Sequence, residues 1–277
     1  MSGYYVHDLR PFLIEFSEGV GIRYYGLAYV LGFVWLYWVL GFFQRRGWLS
    51  LGRGNRDELL FYVAMLGVIV GGRLGYAIIY DWGKTVRDPL SIFRVWEGGM
   101  ASHGGILGVI VVLLIYARWR AISFWSLADA VAWAAPLAIG LGRVANFING
   151  ELWGRPSQVP WAVIFPQAPL VDGMMVPRHP SQLYEALFEG FLLFGILAWV
   201  RLAKSEIRPG TLSVLFIVGY SVARIGCEFF REPDEGHFVF SGITMGQLLT
   251  GLLLLGLMIG LGVVHLLSHS ARAKEKP

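Results

Sequence analysis

Seven stretches of apolar residues recur along this chain: Tyr24–Phe43, Leu59–Tyr80, His103–Ala117, Ser126–Phe147, Gln182–Val200, Thr211–Phe230 and Ile243–Leu267. About 17–25 residues is the length that a helix needs to cross the hydrocarbon core of a bilayer. Backbone inside that core must satisfy its own hydrogen bonds, so spans of this kind are helices. The expectation is an all-α, polytopic integral membrane protein with about seven transmembrane helices. The third stretch is the shortest, and its ends are the least sharply marked.

Charge supports the reading, because only 15% of the 277 residues are charged, against roughly 25% in a soluble domain. Trp82, Trp96, Trp119, Trp125, Trp153 and Trp161 stand near ends of the apolar stretches, where aromatic belts form. The net charge of +4 comes from arginines between spans and does not point to nucleic acid. Cys227 is the single cysteine, so no intrachain disulfide or multi-cysteine metal site is available. The histidines show no metal-ligand spacing, so no metal is expected. Residues 1–25 lack the pattern of a secretory signal.

Six of the 12 prolines fall between Pro156 and Pro180. That density argues against a helix, and residues 150–181 are expected to form a small cap outside the membrane within a single domain, 1–277. With the N-terminus outside, twelve Lys and Arg residues lie on the inner side, among them Arg45, Arg53, Arg118, Lys204 and Lys276, and eight lie outside. The excess of inner positive charge favours a periplasmic N-terminus and a cytoplasmic C-terminus.

Three arginines, Arg73, Arg143 and Arg224, fall inside spans, where an arginine is expensive and marks a functional site by default. Arg143 and Asn146 are three residues apart and share a helical face, and Tyr220, Arg224 and Glu228 form a stripe at i, i+4, i+8. An Arg224–Glu228 pair can serve structure alone, but Arg231 follows three residues later and would leave a net positive cluster. Arg73 reads equally well as a structural arginine capping carbonyls. His103, flanked by glycines, starts the third span; it is either an interfacial residue or a base. Gly140–Ala145 matches G-x-G-x-x-A without a strand before it, so its glycines read as helix packing.

H-G-G at 103–105, G-R-V-A-N-F-I-N-G-E-L-W-G-R at 142–155, R-H-P-S-Q-L-Y-E at 178–185 and G-Y-S-V-A-R-I-G-C-E-F-F-R at 219–231 closely resemble the bacterial prolipoprotein diacylglyceryl transferase family. R-Y-Y-G-L-A-Y at 23–29 and F-R-V-W-E-G-G-M at 93–100 fit as well. The resemblance implies an inner-membrane enzyme without a cofactor. Such an enzyme moves the diacylglyceryl group of phosphatidylglycerol onto the lipobox cysteine of a prolipoprotein signal peptide, forming a thioether and releasing glycerol 1-phosphate. By matching motifs it implies catalytic roles for His103, Arg143 and Arg224, and substrate contacts for Tyr25, Asn146, Glu151, Gly154, Tyr220 and Glu228. A lipid transporter would use the same arginines, but it has no need of His103 and would normally show an inverted repeat, which the chain lacks.

Overall fold

Tyr24 opens the first of six helices long and apolar enough to cross a membrane in the computed structural model, which describes residues 3–17, 19–52, 54–94, 98–204, 206–233, 238–240 and 243–274, with backbone alone at 238–240, 243, 245 and 261–274. These helices are α1 (Tyr24–Arg45), α2 (Asn55–Ile79), α3 (Ser102–Arg120), α4 (Phe124–Asn149), α5 (Ser181–Ala203) and α6 (Thr211–Glu228). They make the chain a polytopic membrane protein. The seventh expected span falls on α7 (Met245–Lys274), whose apolar part with described side chains, Gly246–Gly260, is shorter than the other six. Arg53, Trp96, His237 and Lys276, together with residues 95–97 of the 93–100 motif, lie outside the described residues, as do the side chains of His265 and His269. The third span, short in the apolar pattern, runs 19 residues, because Ser102 and the polar turn through Arg120 extend it at both ends.

The chain divides into two compact units. One holds residues 29–138 and 198–213, and the other holds 1–28, 139–197 and 214–277.

In the first unit α2 and α3 meet backbone to backbone. Gly67, Gly71 and Gly75 lie at i, i+4, i+8 on α2 and face Gly104 and Gly108 on α3. A Cβ at Gly75 would stand 2.6 Å from the Gly104 Cα, and one at Gly71 would stand 2.8 Å from the Gly104 carbonyl oxygen. Lipid tails are as apolar as leucine, so membrane helices gain most by this kind of close van der Waals approach. The seam fixes the start of α3, where His103 sits. Elsewhere in the unit the Trp133 ring stacks with Trp35 and Phe42 at 5.8 and 6.0 Å. The buried Asp129 carboxylate accepts from the Gly210 and Ser213 N–H groups at 2.7 and 2.8 Å and from the Ser213 hydroxyl at 2.7 Å. It thereby caps the N-terminus of α6 from a distant part of the sequence.

The second unit carries the strands that are described. The N-terminal β1 (Tyr5–Val6) is followed by a hairpin, β2 (Phe12–Ser17) and β3 (Val20–Arg23). Of two further strands, β4 (Val163–Ile164) pairs parallel with β1 and antiparallel with β5 (Pro177–Arg178). Near the end lies a second small hairpin, β6 (Phe238–Phe240) and β7 (Ile243–Thr244). Residues 150–180 contain no helix, as their prolines dictate. They are ordered by Arg178, only 3% exposed, which donates to Glu232 at 3.0 Å and to the carbonyls of Pro169 and Gly154 at 3.0 and 3.3 Å. The Phe165 ring is buried beneath this segment, against Phe147 and His7.

The glycine seam makes a sharp prediction. Gly75→Val should lower unfolding stability by about 1–3 kcal/mol, the usual cost of overpacking, because its Cβ would meet backbone that cannot yield. Gly195→Ala on α5, where nothing lies within 4 Å of an added Cβ, should be neutral or slightly stabilising. Thermal unfolding of both variants in detergent checks the pair.

Candidate active site

The site is built from the second unit, starting with the way α4 and α5 approach. A Cβ at Gly140 would lie 3.2 Å from the Gly190 Cα, so small residues on both helices bring the backbones together. Gly142 has open space around it, so only the first glycine of the G-x-G match serves packing. Three residues on from Gly140, Arg143 reaches across to α5 and ion-pairs with Glu185 at 3.1 Å and Glu189 at 3.3 Å. Arg224 of α6 reaches the same two carboxylates, at 2.5 Å for Glu185 and 3.5 Å for Glu189. Arg224 also pairs with Glu228 at 2.8 Å, one turn along its own helix. Arg231, just beyond α6, stands 3.5 Å from Glu185. The side chains of Glu185 and Glu189 are fully buried, and the Thr244 hydroxyl donates to Glu228 at 2.8 Å.

Three arginines thus face three glutamates. The net positive cluster expected from Arg224, Glu228 and Arg231 does not occur, because Glu185 and Glu189 arrive from α5 and neutralise it. These two were missed in the sequence, although they are the only acidic residues of the 182–200 stretch. They lie four apart, so both point to one face. Around Glu189 the helix is π-wound, over Ala186–Leu192, a wide turn often found at functional sites.

Below the arginines along the chain, α4 stops at Asn149 because Gly150 adopts φ 68°, the left-handed conformation that ends many helices. The returning chain is tied down at once. Asn146 and Asn149 donate to one Glu151 carboxylate oxygen at 2.8 and 3.2 Å. Gln182 donates to the Glu151 carbonyl at 2.6 Å, and Ser181 to the Leu152 carbonyl at 3.0 Å. Gly154 follows where any Cβ would stand 2.5 Å from the His179 carbonyl oxygen and 2.6 Å from that of Phe230. Only glycine fits that approach. His179 packs edge-on to Phe230 at 5.2 Å, and burial pushes its imidazole below its ordinary pKa.

The structure therefore brings Arg143, Arg224 and Glu228 into one cluster. Tyr220, one turn before Arg224 and buried on Phe216, lies within electrostatic reach of both arginines. Asn146, Glu151 and Gly154 form an adjoining knot. Tyr25 is half-buried at the second residue of α1, and His103 is half-buried at the second residue of α3 in the other compact unit. Arg73 lies outside the cluster. Buried in the first unit, it donates to the carbonyls of Ser91, Ile92, Gly98 and Gly99, and that is the carbonyl-capping role.

Residues 11–264 match the model of the family described as prolipoprotein diacylglyceryl transferase. The chain belongs to that family. Among its curated relatives is a phosphatidylglycerol–prolipoprotein diacylglyceryl transferase of Pasteurella multocida, 45% identical over 96% of this chain and 94% of the relative. Proteins of the same name from Rhodospirillum centenum and Bordetella avium are 45% and 43% identical, over 94% and 93% of this chain and 93% and 94% of the respective relatives. Of the family's motifs, as read from the sequence, those at 142–155, 178–185 and 219–231 fall on the arginine cluster and on the knot beside it, and H-G-G at 103–105 falls at the start of α3.

Proposed function

We propose that the chain transfers the diacylglyceryl group of phosphatidylglycerol to the lipobox cysteine of prolipoproteins, the first step of lipoprotein maturation, in the bacterial inner membrane. The carrying observation is that arginines from two apolar helices, α4 and α6, meet at one carboxylate, Glu185, at 3.1 and 2.5 Å. Cations gathered inside a membrane protein at such cost are suited to an anionic lipid head group. No cofactor is required and no nucleic acid is a partner.

In this reading Arg143 and Arg224 receive the lipid phosphate, for which the planar guanidinium fork is better shaped than an ammonium. The peptide sulfur attacks the terminal glycerol carbon next to the phosphate ester oxygen. A C–S bond forms, the C–O bond breaks, and the electron pair leaves with glycerol 1-phosphate. Negative charge grows on the phosphate as the bond breaks, so donors held there stabilise the transition state beyond the ground state. The attacking thiol, with an ordinary pKa near ~8.5, must lose its proton. His103 takes it, because a neutral imidazole is the side chain best matched to that transfer near neutral pH. Tyr25, Asn146, Glu151, Gly154, Tyr220 and Glu228 shape the substrate contacts around the arginines. The N-terminus and the 150–181 cap face the periplasm, where precursors emerge, and the C-terminus faces the cytoplasm.

The direct test is purified protein incubated with phosphatidylglycerol and a lipobox peptide, read by mass spectrometry. The peptide should gain one diacylglyceryl group as glycerol 1-phosphate appears; an unmodified peptide would defeat the reading. Arg143→Lys should lose about 10²–10³-fold in turnover although its charge is kept. Cys227→Ala should keep turnover, since the nucleophile belongs to the substrate, and a lipid adduct on Cys227 would contradict this.

Orientation is checked by labelling single cysteines in intact cells with an impermeant reagent. Ser157→Cys should react and Lys204→Cys should be spared; the reverse pattern would invert the topology.

For His103 the check is turnover of His103→Gln against pH, with lipid binding measured alongside. Turnover at neutral pH should fall about 10²–10⁴-fold, lipid binding should hold, and part of the loss should return by pH ~9.5 as the thiol ionises unaided. A deficit explained wholly by lost lipid binding would remove His103 from the proton transfer.

A further inference from the structure

The charge balance of the cluster raises a question that the transfer reaction sharpens. The lipid phosphate is a phosphodiester with one negative charge. The product is a phosphomonoester, which carries close to two at neutral pH because its second pKa is about 6. Three arginines without counter-ions would hold the product more tightly than the substrate, and turnover would stall on release. Instead the site already holds three carboxylates.

The three carboxylates are not held alike. Glu185 lies within 3.5 Å of all three arginines, and its pair with Arg224 is the shortest at 2.5 Å. Glu228 has Arg224 at 2.8 Å and the Thr244 hydroxyl at 2.8 Å. Among the described residues Glu189 has only two longer pairs, 3.3 Å to Arg143 and 3.5 Å to Arg224. One oxygen of each carboxylate, Glu185 Oε2, Glu189 Oε1 and Glu228 Oε2, accepts no hydrogen bond among the described residues. The bond that Glu189 does accept, from Arg143, is the longest at 3.3 Å, against 2.5 Å for Glu185 and 2.8 Å for Glu228. Glu189 also stands in the π-wound part of α5. Glu189 is therefore the most weakly held anion of the cluster, and it faces the two arginines assigned to the lipid phosphate.

We propose that Glu189 is a specificity-determining residue for this reaction: a resident carboxylate that competes with phosphate for Arg143 and Arg224, admits the singly charged lipid and expels the doubly charged product. The proposal rests on reading those two arginines as the phosphate site. Its physics is Coulomb's law. Repulsion between a fixed carboxylate and a phosphate scales with the phosphate charge, so the penalty on the product is about twice, in free energy, that on the lipid. In affinity the second factor is the square of the first.

The test is Glu189→Gln, which keeps the shape and removes the charge. Lipid affinity should rise by a factor of roughly ten, and inhibition by added glycerol 1-phosphate should tighten by a factor approaching about a hundred. Turnover should fall and become limited by product release, visible as a burst of first-turnover product. Glu189→Asp, which keeps the charge but draws it back, should fall between wild type and Glu189→Gln, with product inhibition tightened more than lipid binding. Equal shifts for lipid and glycerol 1-phosphate, or none, would overturn the proposal, since a carboxylate serving stability alone would alter the melting temperature without separating the two ligands. If Glu189→Gln does not fold, Glu189→Asp carries the test. Its shorter arm draws the charge back, so product inhibition should still tighten more than lipid binding, and unchanged or weakened inhibition would overturn the proposal. A wild-type enzyme that transfers no lipid would defeat the underlying reading. A wild type that works beside a Glu189→Gln enzyme without selective product inhibition would defeat only the role of Glu189.

Discussion

Everything in the second unit depends on a set of buried charges that must stay balanced. An unpaired arginine in an apolar helix costs several kcal/mol, and removing one partner of a buried pair costs about 3–5 kcal/mol. Arg143, Glu185, Glu189 and Arg224 come from three different helices. None of these helices can shift along its axis without leaving a charge uncompensated. The ion pairs therefore fix the register of α4, α5 and α6, where apolar side chains against lipid would leave it loose. Ion pairs of this kind add little net stability compared with apolar packing. What they supply is position, and a pair of guanidinium groups held in position is what phosphate chemistry requires.

The proline-rich segment 150–180 is attached to the same charges through short covalent paths. Gln182, which holds the Glu151 carbonyl, lies three residues before Glu185 on α5. Asn146, which holds the Glu151 carboxylate, lies three residues after Arg143 on α4. Movement of the 150–155 turn is thereby passed into the helical turns that carry the ion pairs. Trp153 and Arg155 then bond to the chain just after α6, the Arg155 N–H donating to the Phe230 carbonyl at 2.9 Å and the Trp153 carbonyl accepting from the Glu232 N–H at 3.2 Å. The carbonyl of Arg231, whose guanidinium faces Glu185, accepts from the Arg155 side chain at 3.0 Å. Segment and cluster are thus joined by the hydrogen bonds of Asn146, Gln182 and Arg155.

Much of this was legible in the sequence, for reasons that can be named. Helical spans are written in hydropathy, and six of the seven emerge as expected. The i, i+4, i+8 stripe of Tyr220, Arg224 and Glu228 needs only helical periodicity, and Arg143 stands out by the cost of its charge. Glu185 and Glu189 were passed over because periodicity speaks within one helix. Which helix faces Arg143 is decided by the close approach at Gly140 and Gly190, a contact between residues 50 apart in sequence. Arg73 was ambiguous for a related reason. Its partners are four backbone carbonyls, and carbonyls leave no mark in a sequence. The two-residue strands β4 and β5 carry too few side chains to show alternation. Only the prolines around them signalled that the segment was not helical.

The two units hold their helices together by different means, and the difference bears on function. Between α2 and α3 the contact is backbone against backbone through glycines, a seam with no charge to rearrange and nothing a ligand could displace. Among α4, α5 and α6 glycine contacts, at Gly140 with Gly190 and at Gly219 with Leu193, are joined by ionic ones. An ionic seam differs from an apolar one because a carboxylate and a phosphate bind the same partner in the same way. A site stabilised by its own carboxylates can stay intact while empty, accept an anion by exchange, and close again when the anion leaves. A seam of apolar side chains has no such second state. The placement of the arginines and glutamates among α4, α5 and α6 thus meets the demand for neutrality in a medium that will not solvate charge and, in the proposed reading, joins to it readiness for a charged lipid.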